Sequence, residues 1–224
     1  MTKKAEIFFS DSYVDLMKKV TLSRLTNAFQ YIDFDLKDDV LDIACGPGLV
    51  APLIHKKINR YTGIDFSRTF VKSAILTAKS NSIKNARYKK TGINKFLLSS
   101  KDKFNKVLIF DFSYYVNDEH LYKIFRLTNK VIKKKGYIYI YEMEKTFIFE
   151  YIKRNLFKTD MIRIHPHPRS AENIKVMLEN SGFNSIQIHY VSHYNILKVL
   201  HLFRFIPLIG KYFNAKKIVI GQKK

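Results

Sequence analysis

The stretch Val40-Leu41-Asp42-Ile43-Ala44-Cys45-Gly46-Pro47-Gly48 decides the fold. It begins as an apolar run, as a buried parallel strand requires, and passes through a glycine turn into Leu49, Val50, Ala51, Leu53 and Ile54, the apolar residues of a helix. Glycine at 46 and 48 lets the backbone bend sharply and approach a ligand closely. After a short helical segment comes Tyr61-Thr62-Gly63-Ile64-Asp65-Phe66-Ser67, a second strand ending in a carboxylate. Lying about 20 residues beyond the turn, Asp65 is placed to accept hydrogen bonds from both ribose hydroxyls. The two pieces together read as a nucleoside pocket.

Outward from this centre, strand one covers 39–44, strand two 60–64, a helix 67–80, strand three 85–90 and strand four 106–110. A helix follows from 118 to 133, its lysine run Lys133 to Lys135 falling just before Gly136, where a helix should end. Strand five, 137–141, is Tyr-Ile-Tyr-Ile-Tyr, rich in β-branched and aromatic residues. A helical stretch near 146–156, a loop rich in His and Pro, a helix at 170–180 ending at Gly182, and strands at 186–190 and 217–220 complete the chain. Strands alternating with helices demand an α/β fold with a doubly wound, mostly parallel sheet of seven strands and helices on both faces. Residues 11–30 carry apolar side chains at helical spacing ahead of strand one.

At 224 residues the chain fits one domain, with no Pro/Gly/Ser-rich linker and no internal repeat. We divide it into a helical N-terminal segment (1–36), a nucleotide-binding core (37–143) and acceptor-side and C-terminal elements (144–224). No secretory signal or stretch of roughly 20 apolar residues is evident, so a soluble, cytoplasmic protein is expected. Cys45 is the single cysteine, which excludes an internal disulfide and a cysteine-based zinc site. The formal charge is +21, and it predicts attraction to polyanions or acidic surfaces, with a lysine-biased genome as the equally weighted alternative. Most of it is lysine, 31 against 9 arginines, spread without a dense block, whereas nucleic-acid readers lean on arginine for bidentate contacts.

Gly46-Pro47-Gly48-Leu49-Val50-Ala51 also fits the dinucleotide fingerprint G-x-G-x-x-G/A. Asp42 argues against that ligand, because it places a carboxylate where a dinucleotide would put its doubly charged pyrophosphate. A ligand carrying an ammonium and a sulfonium gains from the same carboxylate, directly or through the backbone it orders. S-adenosylmethionine is such a ligand. The arrangement resembles the class I, Rossmann-like methyltransferases of small-molecule type, in which D-x-A-C-G-x-G forms the first motif and an acid closing strand two the second. Residues 37–143 match that family's order of elements.

The resemblance implies an antiparallel last strand, an N-terminal segment folded over the cofactor as a lid, and S-adenosylhomocysteine as product. It places Asp42, Ala44, Gly46 and Gly48 around the methionine end, Asp65 at the ribose, Phe66 on one face of adenine, and the Phe110 backbone at the amino group. One departure stands out. Where the family usually has an acid after strand three, this chain has Thr91-Gly92-Ile93-Asn94, so Asn94 or the backbone at Ile93 is expected to read the adenine.

Methyl transfer from a sulfonium asks the protein chiefly to hold the nucleophile in line and exclude water. Candidates lie at the carboxyl ends of the strands. Tyr114 and Tyr115, after strand four, offer a π face to the sulfonium or a hydroxyl to the acceptor; packing of the next helix is the alternative. Glu142 and Glu144 face one side of an extended chain; solvation at the strand end is the simpler view, and Glu142 is the one placed to take a proton or bind an amine. In Arg163-Ile164-His165-Pro166-His167-Pro168-Arg169, His165 suits general-base work, while Arg163, His167 and Arg169 suit an anionic acceptor. A surface loop leading to Ser170 as helix N-cap is the competing view. A metal is not expected, because His-x-His supplies only two ligands.

The chain is therefore expected to methylate an oxygen or nitrogen of a small, anionic or amphiphilic acceptor. Nucleic acid is a less favoured acceptor: strand four lacks an Asn-Pro-Pro-Tyr type loop, and no second cysteine exists to attack a pyrimidine. A non-catalytic cofactor-binding protein is a further alternative. Residues 195–209 are apolar except for Lys198, His201 and Arg204; this pattern suits a helix packed on its own domain, with peripheral contact to anionic lipid as the alternative. Oligomeric state and acceptor identity are not legible.

Overall fold

Strand β1 (Asp39–Ile43) lies inside a seven-stranded sheet of order β3-β2-β1-β4-β5-β7-β6. The structure is a computed structural model and describes residues 25–148, 152, 166–191, 203, 206 and 210–224. β2 (Arg60–Asp65), β3 (Ala86–Lys90), β4 (Phe104–Phe110) and β5 (Ile132–Met143) run parallel to β1. β7 (Lys216–Lys223) is antiparallel and sits between β5 and β6 (Phe183–Val191). The expected doubly wound sheet with an antiparallel last strand is therefore present.

Apart from the buried Asp42, the covered stretches Val40–Ile43, Val107–Phe110 and Tyr137–Tyr141 are apolar or aromatic because both faces are packed. Leu41, Ile43, Val107, Ile109, Ile138 and Ile140 pack on one side with helices α3 (Ile93–Ser99), α4 (Asp118–Val131) and α5 (Ala171–Glu179). Val40, Leu108, Tyr139 and Tyr141 pack on the other with Leu25, Ala28 and Ile32, with α1 (Ala51–Ile54) and with Ala78 of α2 (Arg68–Ser80). Residues 25–29 are helical; the earlier part of the expected N-terminal lid lies outside the described residues.

Three helices start as their sequences dictate. The side chains of Ser67, Asn117 and Ser170 accept the N–H of Phe70, His120 and Asn173, each satisfying a donor the first turn leaves open. Asp118 and Glu119 add negative charge at the positive end of α4.

One expected boundary is corrected. α4 ends at Val131, and Lys133 to Lys135 belong to β5. Buried Ile132 pairs with Phe104, so the chain leaves the helix to reach the sheet. Lysines from elsewhere then take the open helix carbonyls: Lys103 Nζ donates to Lys130 O and Lys223 Nζ to Asn129 O and Ile132 O. The register shifts between Phe104 and Lys106. Gly136 is required by the neighbouring strand and not by a helix end, because a Cβ there would lie 2.6 Å from Asn105 O.

Candidate cofactor and acceptor sites

The turn after β1 is built from left-handed residues: Ala44 at φ 59°, Gly46 at 52° and Gly48 at 78°. Gly48 N–H donates to Cys45 O, and Cys45 N–H reaches across to Ile64 O. The two glycines serve different ends. A Cβ at Gly48 would meet Ala74 of α2 at 2.7 Å, so this glycine lets helix and turn pack. A Cβ at Gly46 would meet nothing within 4 Å, so its backbone borders open space beyond the strand ends, as does that of Gly92 after β3.

Asp65 closes β2 beside this turn. Its Oδ2 accepts the N–H of Gly46 at 3.1 Å and its Oδ1 that of Ser67 at 2.8 Å. Burial pushes its carboxyl above the ordinary range, and these backbone donors pull the other way. The adjoining Phe66 is 63% exposed, an apolar ring held at the rim where a flat base can stack. Across the strand ends, Ile93 is half-buried and the Oδ1 of Asn94 is buried with no hydrogen-bond partner; an amine donor would satisfy it. Phe110 is half-buried, its ring between Phe29 and Tyr141.

Asp42 lies beneath the turn, fully buried, and accepts a hydrogen bond from the Tyr61 hydroxyl. Burial raises its carboxyl to about 7, opposed by the Tyr61 bond and reinforced by Asp65. Its burial and its bond to Tyr61 favour the second of the two routes the sequence left open, the one through backbone and field. Cys45 packs over Gly63, and burial followed by the charges of Asp42 and Asp65 pushes its thiol far up, so it is no nucleophile.

The buried carboxylates differ in their partners. Asp38 pairs with Lys106, and Glu142 and Glu144 both pair with Lys217. Among the described residues Asp42 and Asp65 are held by neutral donors alone, although the chain has 40 Lys and Arg. Two buried acids without a cation, below an open turn, suit a positively charged adenosyl ligand. By these tests the site fits S-adenosylmethionine.

The acceptor side is tied together by long-range polar contacts. Asp111, at φ 48°, ends β4 with both carboxylate oxygens 2.7 Å from Lys216 Nζ. Tyr114 is buried and Tyr115 is 39% exposed, their rings 4.6 Å apart. Burial, with the charges of Asp111 and Glu142, raises the Tyr114 hydroxyl well above its ordinary value, so it is a donor at neutral pH and not a base. Glu142 accepts from Ser113 Oγ. Glu144 accepts from Thr146 and from the N–H of Ala171. The two glutamates do share one side of β5, facing Lys217 in the interior and not the solvent.

Arg169 corrects an expectation. All five of its N–H donors are used: Nε and Nη2 on Asp118, Nη1 on the carbonyls of Ser113 and His167, Nη2 also on that of Val116. A buried guanidinium so occupied clamps the 113–118 loop and has no donor left for an anionic acceptor. His167 is exposed, its N–H bonded to Tyr114 O. Arg163 and His165 lie outside the described residues, as does 195–209 apart from Phe203 and Ile206, which are exposed. Among the described residues no helix is long and apolar enough to cross a membrane. Sequence reading missed Tyr61, Ser113, Asp111, Lys216 and Lys217, whose partners lie 19 to 105 residues away and carry no local signature.

Comparisons with known proteins agree with this geometry. Residues 40–136 match the model of a methyltransferase domain family. A chain of the complex between the Haloferax volcanii Trm112 methyltransferase activator and a methyltransferase superposes with TM-score 0.74 at 14% identity, covering 99% of this chain and 98% of that one. A SAM-dependent methyltransferase from Archaeoglobus fulgidus gives 0.68 at 20% identity, covering 95% and 100%. The N-methyltransferase NodS from Bradyrhizobium japonicum, in complex with S-adenosylhomocysteine, gives 0.62 at 12% identity, covering 96% and 87%. In sequence, 105 residues are 27% identical to the 23S rRNA (uracil(1939)-C(5))-methyltransferase RlmD of Vibrio vulnificus, covering 46% of this chain and 24% of that protein. The chain thus spans about a quarter of the curated relative's length. With its glycine turn, its strand-two acid and its 3-2-1-4-5-7-6 sheet, the chain has the fold of the class I S-adenosylmethionine-dependent methyltransferases, and its residues 40–136 match a methyltransferase domain.

Proposed function

We propose that the protein transfers a methyl group from S-adenosylmethionine to an oxygen or nitrogen of a small acceptor by in-line displacement, releasing S-adenosylhomocysteine. The observation that carries this reading is the pair of buried carboxylates, Asp42 and Asp65, held without a cation beneath the open backbone of Gly46. When bound, the sulfonium supplies an already activated methyl, so the chain's part is to bind, orient and exclude water. Asp65 takes the ribose hydroxyls and Phe66 covers one face of the adenine. Asn94 and the Ile93 backbone read its edge, and Ala44, Gly46, Gly48 and the Phe110 backbone surround the methionine end. Residues 37–143 form the cofactor core, 1–36 the lid and 144–224 the acceptor side.

At the acceptor side, Tyr114 or Tyr115 orients the nucleophile by hydrogen bonding or a π face. Glu142 stands behind that loop through Ser113, and His165 remains the candidate base, with Arg163 and His167 flanking the acceptor. The charge of +21 favours an acceptor that is anionic or amphiphilic with an anionic group.

Methylation of RNA is the second reading, favoured by that charge and by the partial likeness to an rRNA methyltransferase. Cys45, buried with its thiol held protonated, does not suit attack on a pyrimidine carbon, which limits this reading to oxygen or nitrogen targets.

Incubation with methyl-labelled S-adenosylmethionine and a panel of small amines, phenols and carboxylates tests the proposal. Acceptor-dependent S-adenosylhomocysteine release is expected. Turnover only with RNA, with a steep salt dependence of binding, supports the second reading. Cofactor binding without turnover on any acceptor points to a binding protein. Tight uptake of a nicotinamide or flavin dinucleotide with indifference to S-adenosylmethionine overturns all three.

A further inference from the structure

Beneath the glycine turn, four side chains from three elements surround Asp42. Tyr61 and Asp65 come from β2, Tyr88 from β3 and Cys45 from the turn itself. The Tyr61 hydroxyl is wholly buried and donates to Asp42. Its ring lies 5.7 Å from that of Tyr88, whose own hydroxyl is buried without a hydrogen-bond partner. None of the ion pairs among the described residues includes Asp42, and the neighbouring charge that bears on it most is that of Asp65, of the same sign.

Resting on the cofactor reading above, we propose that Tyr61 is a positioning residue that acts through Asp42 to set how strongly the site prefers the sulfonium of S-adenosylmethionine to the neutral thioether of the product. The two ligands share adenosine and amino-acid tail and differ by one positive charge at sulfur. A carboxylate buried near the turn in low dielectric feels that difference without touching the ligand. It does so only while ionised, and the hydrogen bond from Tyr61 is the one contact that favours the ionised form. With its carboxyl at about 7, Asp42 sits between its two states near neutrality, so a single hydroxyl tips the balance. Asp65, Tyr88 and Cys45 contribute no positive charge to offset it.

Calorimetric titration of the whole chain with S-adenosylmethionine and, separately, with S-adenosylhomocysteine across pH 5.5 to 8 tests this, alongside Tyr61→Phe and Asp42→Asn. In the wild type the ratio of the two affinities should move toward S-adenosylmethionine by about five-fold or more as pH rises. In Tyr61→Phe that rise should begin about one pH unit higher, because a hydrogen bond to a charged group is lost. In Asp42→Asn it should vanish. Titration of the ligands themselves is common to all three proteins and cancels. A carboxyl ¹³C NMR titration of the ligand-free chain, with the Asp42 midpoint moving up in Tyr61→Phe, is the readout that a packing role would not produce. Superimposable ratios in wild type and a folded Tyr61→Phe overturn the inference and leave the cofactor reading intact, as does a wild-type ratio that is flat with pH should the variants not fold. Failure to bind either compound overturns both.

Discussion

Gly46 donates its backbone N–H to Asp65 Oδ2 at 3.1 Å, so the residue that gives the turn its open face and the acid that closes the neighbouring strand are one hydrogen-bonded unit. Asp65 thus orders the turn, and the ribose role proposed for it can be tested beside that one. Asp65→Ala should weaken S-adenosylmethionine binding by about 1 to 3 kcal/mol, the loss for buried donors left without an acceptor. Asp65→Asn, which keeps an oxygen for Gly46 or Ser67, should lose less. Calorimetry on both variants checks the order, and unchanged affinity in the alanine variant contradicts the ribose role.

The two turn glycines should fail in different ways. Gly48→Ala drives a Cβ to within 2.8 Å of the Ala74 backbone at a positive φ, so it should lower stability by several kcal/mol, on the order of 2 to 4. Gly46→Ala enters open space at a positive φ and should cost stability only about 1 kcal/mol, yet weaken S-adenosylmethionine binding because its methyl group occupies the space proposed for the methionine end. Thermal melts paired with calorimetry separate the two outcomes.

Arg169→Met should destabilise the fold by about 3 kcal/mol, since it strips the 113–118 loop of its clamp and leaves buried carbonyls without donors. Binding of S-adenosylmethionine should survive. Hydrogen exchange resolved over residues 113–118 should speed up in this variant while that of β1 and β2 changes little. Uniform acceleration across the sheet would speak against a local clamp.

Stability of the ligand-free chain should carry a term that falls with rising pH. Asp42 is raised from 3.8 to about 7 in the fold, so between those values the folded state holds a proton that the unfolded state has released. That contribution is complete below 3.8 and is lost as pH climbs through 7, amounting to about 4 kcal/mol over the window. Asp65, also raised, adds in the same direction. Urea unfolding at intervals from pH 4.5 to 8 should give a wild-type minus Asp42→Asn difference that slopes downward; an upward slope would be incompatible with the burial of this acid.

The sheet was legible because its strands announce themselves locally. Val40 to Ile43, Val107 to Phe110 and Tyr137 to Tyr141 are apolar or aromatic but for the buried Asp42, and Gly46 and Asp65 lie at the spacing of a nucleoside signature within one β-α-β unit. The end of α4 was not legible. Lys133 to Lys135 look like the last turn of a helix, but the carbonyls are capped by Lys103 and Lys223 from distant segments. Arg169 misled for a related reason: a guanidinium beside two histidines resembles an anion site until Asp118 and three carbonyls are seen around it. Asp42 stands out in the sequence as an acid within an apolar strand, while its partner Tyr61 lies on another strand and gives no sign in sequence.

The position of β7 has a bearing on how the chain acquires its shape. Residues 216–223 join β5 to β6 and deliver Lys216 and Lys217 to Asp111, Glu142 and Glu144. Of the seven strands, this one leaves the ribosome last. Strands β1 to β4 can pair during synthesis, whereas Asp111, Glu142 and Glu144 gain their lysine partners only when two consecutive residues of β7 emerge and join the sheet.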